Sequence, residues 1–296
     1  MTRQRAFLAG AAAVAVAGWS GLAQAEDAST FSSGKLLLTG GVSDIEGAGG
    51  GGLATWSTIT GYGTGEAIGA NAHYTDVHVQ RFDLRSYGAA VGLYDRVELS
   101  YARQDFDTGS TGPLLGLPQG FTFSQDIYGA KVRVIGDAVY DQDSLLPQIS
   151  VGAQYKKNNQ AGVVAFLGAK KDNGVDYYVS ATKVLLNESL VLDATVRATK
   201  ANQTGILGFG GNAHDRYSAQ FEGSAGYLVT RHLVVGAEYR TKPDNLNGLK
   251  EDDWYDVFAA YAINKHVSVT AAYVDLGTVA TFKNQRGFYL SLQAGF

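Results

Sequence analysis

The chain has no cysteine, four prolines, one methionine and, past its first 25 residues, no apolar run of helical-span length. Each scarcity excludes something. Without cysteine there is no disulfide framework and no thiolate metal site, so an oxidising compartment is tolerated without cross-links. Without a run of about 20 apolar residues there is no spanning helix, so a membrane location requires strands closed into a barrel. Prolines 113, 118 and 243 fall in segments that read as loops, and Pro147 begins a strand. None interrupts a strand, where it would remove a ladder hydrogen bond. Basic residues are also few. Arg3 and Arg5 precede an alanine-rich apolar run and an Ala23-Gln24-Ala25 site, the pattern of a secretory signal peptide cleaved after Ala25. The mature chain, residues 26–296, then carries 22 basic and 28 acidic residues, a net charge near −6. That balance disfavours a nucleic-acid partner, since neutralising phosphates needs a basic surface.

What is present is glycine (38), tyrosine (17) and a mean hydropathy of −0.07. Alternation of lipid-facing and lumen-facing residues holds the average near zero in a barrel strand. The alternation is direct in Val97–Asp105, with Val97, Leu99 and Tyr101 against Glu98, Ser100 and Gln104. It recurs in 125–135, 147–156, 190–200, 220–229, 233–240, 253–263, 267–273 and 288–296, more noisily in 68–79, 85–93 and 175–184, and weakly in 36–42 and 53–61. Strict period two over such lengths marks a half-buried strand. The count is about fourteen, with twelve or sixteen as the margin.

The connections fall into two alternating sets. Those at 63–66, 94–96, 186–188, 230–232 and 264–266 are short, with 136–146 joining them by position; those at 106–124, 157–174, 201–219, 241–252 and 276–286 are long. Short turns at one end and long loops at the other are the pattern of an all-β, transmembrane antiparallel up-and-down barrel of a bacterial outer membrane. Tyrosines border many apolar stripes, as in the aromatic girdles of such barrels.

Several segments resemble a known family: GKLLLTGGVSDIEGA (34–48), YDRVELSYARQDFD (94–107), GILGFGG (205–211), EYRTKPDNL (238–246), KEDDWYDVF (250–258) and GFYLSLQAGF (287–296). They are similar to an uncharacterised bacterial family of outer-membrane β-barrel proteins, a domain of unknown function. The resemblance runs through the mature chain and implies fold and location, but no substrate and no catalytic residue. The terminal phenylalanine resembles the signal that barrel-assembly machinery reads. Outer-membrane lipid, lipopolysaccharide, that machinery and a small solute are the expected partners; no cofactor or metal is expected.

The strands place charges of both signs inside: Glu98, Lys131, Arg133, Asp193, Arg197, Glu222, Glu238, Arg240 and Asp256. Buried charges must pair or meet water. They either line a selectivity-setting constriction, which substitution of Lys131, Arg133 and Arg197 would alter, or form a salt-bridged interior without conductance. Three long loops are apolar for water-exposed segments: Leu114, Leu115 and Leu117; 161–169, a short helix by its composition, with Phe166 and Leu167; and Ile206, Leu207 and Phe209. They are candidates for a lid or for contact with an apolar solute, or they pack on one another. His214-Asp215 and Glu251-Asp252-Asp253 fall in neighbouring long loops, but their surroundings match no omptin protease motif. No outer-membrane phospholipase pattern is evident either, and no enzyme activity is expected. The glycines at 49–52 and 208–211 lack the context of phosphate loops and are read as bends at a rim. The resulting expectation is a monomeric, narrow porin-like or apolar-solute channel for passive uptake, with a structural or adhesive barrel as the first rival and a surface enzyme as the second.

Overall fold

The computed structural model describes residues 34–40 and 42–296; the expected signal peptide and its cleavage site lie outside the described residues. Twelve strands form the wall. They are β1 (Ile68–Val79), β2 (Asp83–Leu93), β3 (Val97–Asp107), β4 (Thr122–Ile135), β5 (Gln148–Asn158) and β6 (Asn173–Leu185). The circuit continues with β7 (Leu190–Thr199), β8 (Ser218–Thr230), β9 (Leu233–Arg240), β10 (Trp254–Ala262), β11 (Val267–Asp275) and β12 (Arg286–Gly295). Each strand pairs antiparallel with its sequence neighbours, and β12 closes onto β1 from Asn71↔Gly295 to Val79↔Gly287. The chain is a transmembrane up-and-down β-barrel whose closure leaves no strand edge unpaired.

Twelve is the lower of the expected counts. The difference from fourteen is the two weak segments, 36–42 and 53–61, which are not in the wall. They belong to a stretch from Gly34 to about Glu66 that lies inside the barrel, most of it inaccessible to solvent. A barrel of eight strands is filled by its own side chains and one of sixteen leaves an aqueous channel. Twelve strands leave space that this plug occupies.

The outer face explains the alternation. Val151, Val179, Val196, Val257, Leu290 and Leu292 are exposed along the middle of the strands. Tyr155, Tyr177, Tyr239, Tyr255 and Tyr273 stand toward one end, and Tyr227 and Tyr261 toward the other. Aliphatic residues between two tyrosine belts are the surface a bilayer wets. Tyr101, Tyr128 and Tyr155 face one another across β3, β4 and β5, with ring centroids 5.3 and 6.4 Å apart. The hydroxyls of Tyr101 and Tyr255 donate to Asp126 (2.9 Å) and Asp275 (2.6 Å), keeping their polar ends satisfied beside the apolar belt.

The short turns at 94–96, 186–189, 231–232 and 263–266 share one end with the plug's entry and the chain's C-terminus. The long loops share the other end, together with the three-residue β1–β2 turn at 80–82. We call these the inner and outer ends. The β5–β6 loop holds one short helix, α1 (Ala161–Phe166), within the expected stretch.

Candidate functional site

The plug is rich in glycine, serine and threonine and carries its own unpaired backbone into the lumen, where every N–H and C=O needs a partner. The wall supplies many of them. Glu98 accepts the N–H groups of Gly49 (2.9 Å) and Thr60 (2.8 Å), and Glu238 those of Gly52 (2.7 Å) and Leu53 (2.6 Å). Glu222 accepts the N–H of Thr55 at 3.0 Å. Lys131 donates to the carbonyls of Gly49, Trp56 and Thr58 at 2.7–3.0 Å. Ser86 and Gln104 each donate to the Ile45 carbonyl at 2.6 Å, and Gln148 (2.5 Å) and Ser150 (2.6 Å) to that of Ser57. So the glycines at 49–52 are not rim bends. They allow the backbone to approach carboxylates: a Cβ on Gly51 would lie 1.7 Å from Glu238 Oε1.

Glu46 of the plug is the centre of an ion network. It pairs with Lys156, with Arg240 at 3.0 Å and with Arg197 at 3.6 Å. Lys156 also meets Asp176 (2.7 Å), and Arg197 meets Glu222 (2.5 Å). Lys131 and Glu98 form a separate pair at 3.1 Å. Four more buried carboxylates, Asp44, Asp193, Glu238 and Asp256, have no cation within 4 Å among the described residues. Of the charges expected inside, Arg133 stands apart: it sits half-buried at the inner rim, pairing with Asp95 and with Asp137 (2.9 Å). Glu46, Lys156 and Asp176 were absent from the expected set, because Glu46 lies in a segment without alternation and Asp176 in a noisy strand.

Above the plug the character inverts. A cavity with about 40 Å³ of clear space occupies the outer mouth. All six outer connections line it: Phe82; Leu115 and Leu117; Leu167; Ile206 and Leu207; Leu249; Leu276 and Val279. Strand ends complete it with Val77, Val79, Leu84, Phe106, Phe123 and Trp254, and Gln203 and Thr204 are its polar residues. The three apolar loops therefore meet over the lumen, with exceptions. Leu114 and Phe166 point outward, 69% and 81% exposed, and Phe209 is buried behind the lid, against Gly174 and Gly205.

The lid is tied down from two sides. From below, Lys156 (3.2 Å) and Gln125 (3.4 Å) donate to the Thr204 carbonyl, and Asn158 donates to that of Ile206 (2.7 Å). From the side, the Gln203 N–H donates to both oxygens of Glu251 (2.8 and 2.9 Å), while Lys242 donates to the Gln203 amide oxygen (2.9 Å) and lies 3.7 Å from Glu251. Burial pushes the Glu251 carboxyl up to about 7 against the pull of Lys242, and pushes the Lys242 ammonium down to about 8 against that of Glu251. A carboxyl whose folded pKa is raised contributes stability that is fully present below its unfolded value. That stability is lost as pH rises through the folded value. The wild type is therefore expected to lose about 3 kcal/mol relative to Glu251→Gln as pH goes from 4.5 to 7. Denaturant titration of both proteins across that range checks it; a gap that does not move with pH refutes it.

His214 and Asp252 do not meet: His214 Nδ1 lies 3.1 Å from the Asp244 carbonyl, Lys200 pairs with Asp215, and Lys250 with Asp252.

Residues 39–293 match the family described as protein of unknown function, DUF3034. The chain belongs to that family. No curated protein has a matching sequence. Among solved structures this DUF3034 barrel is similar to the KdgM porin, at 10% identity over 76% of this chain and 99% of that one, with a TM-score of 0.50. An outer membrane channel from Pseudomonas putida F1 is similar at 12% identity, 77% and 94% coverage and a TM-score of 0.45. The NanC porin is similar at 8% identity, 78% and 99% coverage and a TM-score of 0.44. At such identities the likeness is one of fold.

Proposed function

We propose that this chain is an outer-membrane barrel that admits a small, uncharged apolar solute passively through the chamber at its outer mouth. The observation that carries the reading is the chamber itself, to which every outer connection contributes an apolar side chain. Water-exposed loops have no reason to converge on such a lining, whereas small-molecule sites are concave and mostly apolar. The filled, ion-paired lumen favours one rival, a structural barrel without transport, because it leaves no open aqueous route.

Entry of N-phenyl-1-naphthylamine, an apolar fluorophore that a lipopolysaccharide leaflet excludes, separates the two. Cells producing the full chain are expected to take it up several-fold faster than cells without it, and the purified protein to bind it. Leu207→Asp places a charge on a buried lid residue and is expected to weaken binding at least about tenfold. Equal uptake with and without the protein, and no binding, would leave the structural barrel.

A further inference from the structure

A second cavity, with about 30 Å³ of clear space, lies at the inner end between the plug and the wall. Leu38, Val42 and Trp56 of the plug face Val234, Phe258 and Thr270 of the wall across it. Both cavities reach the β10–β11 wall, where one inward side chain on β10 and two on β11 lie between them. Along the inward face of β10, Trp254 lines the outer chamber, Asp256 follows, and Phe258 lines the inner cavity. Along β11 and the residue after it the order is Leu276, Val274, Ala272, Thr270, with Leu276 in the outer lining and Thr270 in the inner. Across the ladder, Phe258 pairs with Ala272, Ala272 with Tyr289, and Tyr289 with Val77 of the outer chamber.

The plug's attachments are uneven. Its backbone is stapled to side chains of β2 to β9, including Thr182 of β6 and Thr195 of β7, and to Gln293 of β12. Among the described residues no inward side chain of β10 is hydrogen-bonded to it, nor is Thr270, Ala272 or Val274 of β11. Buried apolar side chains run without a break from Leu38 and Val42 through Phe258, Ala272 and Val274 to Val79 and Phe82.

We propose that the inner cavity is a second binding site for an uncharged apolar molecule, reached from the outer chamber along the β10–β11 wall while the plug stays in place. Asp256, Ala272, Val274 and Tyr289 form the partition that opens. This rests on the reading of the outer chamber as a solute site. The plug then blocks ions and water through its polar, stapled side, while the unstapled apolar seam passes a solute that needs neither.

Each cavity contains one tryptophan, Trp254 outside and Trp56 inside. Trp56→Phe and Trp254→Phe leave one cavity reporter each, and the double variant, which keeps Trp19, sets the baseline. The probe is 1-bromooctane, whose bromine quenches on contact; a brominated phospholipid, confined to the bilayer, measures quenching through the wall. Both tryptophans are expected to be quenched beyond that background. Ala272→Phe is expected to slow quenching of Trp56 about tenfold and to leave that of Trp254 unchanged. Val234→Phe fills the inner cavity itself and is expected to abolish Trp56 quenching if the first variant fails to fold. Quenching of Trp254 alone in the wild type would overturn the inner site and leave the outer chamber standing. Equal Trp56 rates in the wild type and a folded Ala272→Phe would overturn the route. No quenching of either would remove the outer-chamber reading with it.

Discussion

A chain lacking residues 34–62 is expected to give cation-selective current steps in a planar bilayer, and the intact protein to stay silent. The wall does not depend on those residues for its ladder: all twelve strand pairings are made among β1 to β12. The plug enters only as a filler held by wall side chains and by the Glu46 network. Its removal exposes six lumen carboxylates, Glu98, Asp176, Asp193, Glu222, Glu238 and Asp256, against four cations, Lys131, Lys156, Arg197 and Arg240. That excess favours cations near the narrowest section. The apolar lid stays over the mouth, so openings are expected to be brief, set by loop motion on the microsecond-to-millisecond scale. Current through the intact chain equal to that of the deletion would mean that the plug does not seal the lumen.

The same arrangement changes what the Lys131, Arg133 and Arg197 substitution measures. As free lumen charges they would set anion preference. Instead Lys131 and Arg197 are spent on Glu98 and Glu222, and Arg133 lies at the rim. In the deletion variant their neutralisation is expected to deepen cation preference, and in the intact protein no current is expected for it to alter.

Wall and lumen differ in how far the sequence discloses them, for a physical reason. A barrel strand sits between lipid and lumen, so its pattern is written residue by residue, and Val97–Asp105 or 190–200 can be read in isolation. The plug sees polar partners on all sides and keeps no period. Its extended stretch at 53–61 alternates just enough to resemble a strand, while Gly49–Gly52 signals close approach without saying to what. Partnerships such as Glu46 with Lys156 and Arg240 depend on how the plug threads the lumen, which no local pattern encodes. Loop composition disclosed the apolar lid at Leu115, Leu167 and Leu207. It did not disclose the facing of Leu114 and Phe166, because short loop helices and turns present some apolar side chains outward regardless.

Replacing Glu46 with alanine is expected to undock the plug without unfolding the wall. Glu46 is fully buried and serves three cations, Lys156, Arg197 and Arg240, which would be left to share Asp176 and Glu222. Removing one side of a buried ion network costs about 3–5 kcal/mol, because the remaining charges stay out of water. That cost falls on plug docking, since the interstrand hydrogen bonds are untouched. Hydrogen exchange of amides 44–60 is accordingly expected to quicken by about a hundredfold or more, with heat-modifiable gel migration unchanged. Lys156 donates to Thr204 as well as to Glu46, so the loss is transmitted to the lid, and amides 203–207 are expected to quicken too, by less. Asp256→Asn is the control. Asp256 is equally buried but has no cation partner among the described residues, so neutralising it relieves a desolvated carboxylate and is expected to leave plug protection unchanged or raised. If both variants loosened the plug alike, its docking would rest on general packing and not on the Glu46 network. If Glu46→Ala loosened the plug but left residues 203–207 protected, lid and plug would be separate devices, and Lys156 would not couple them.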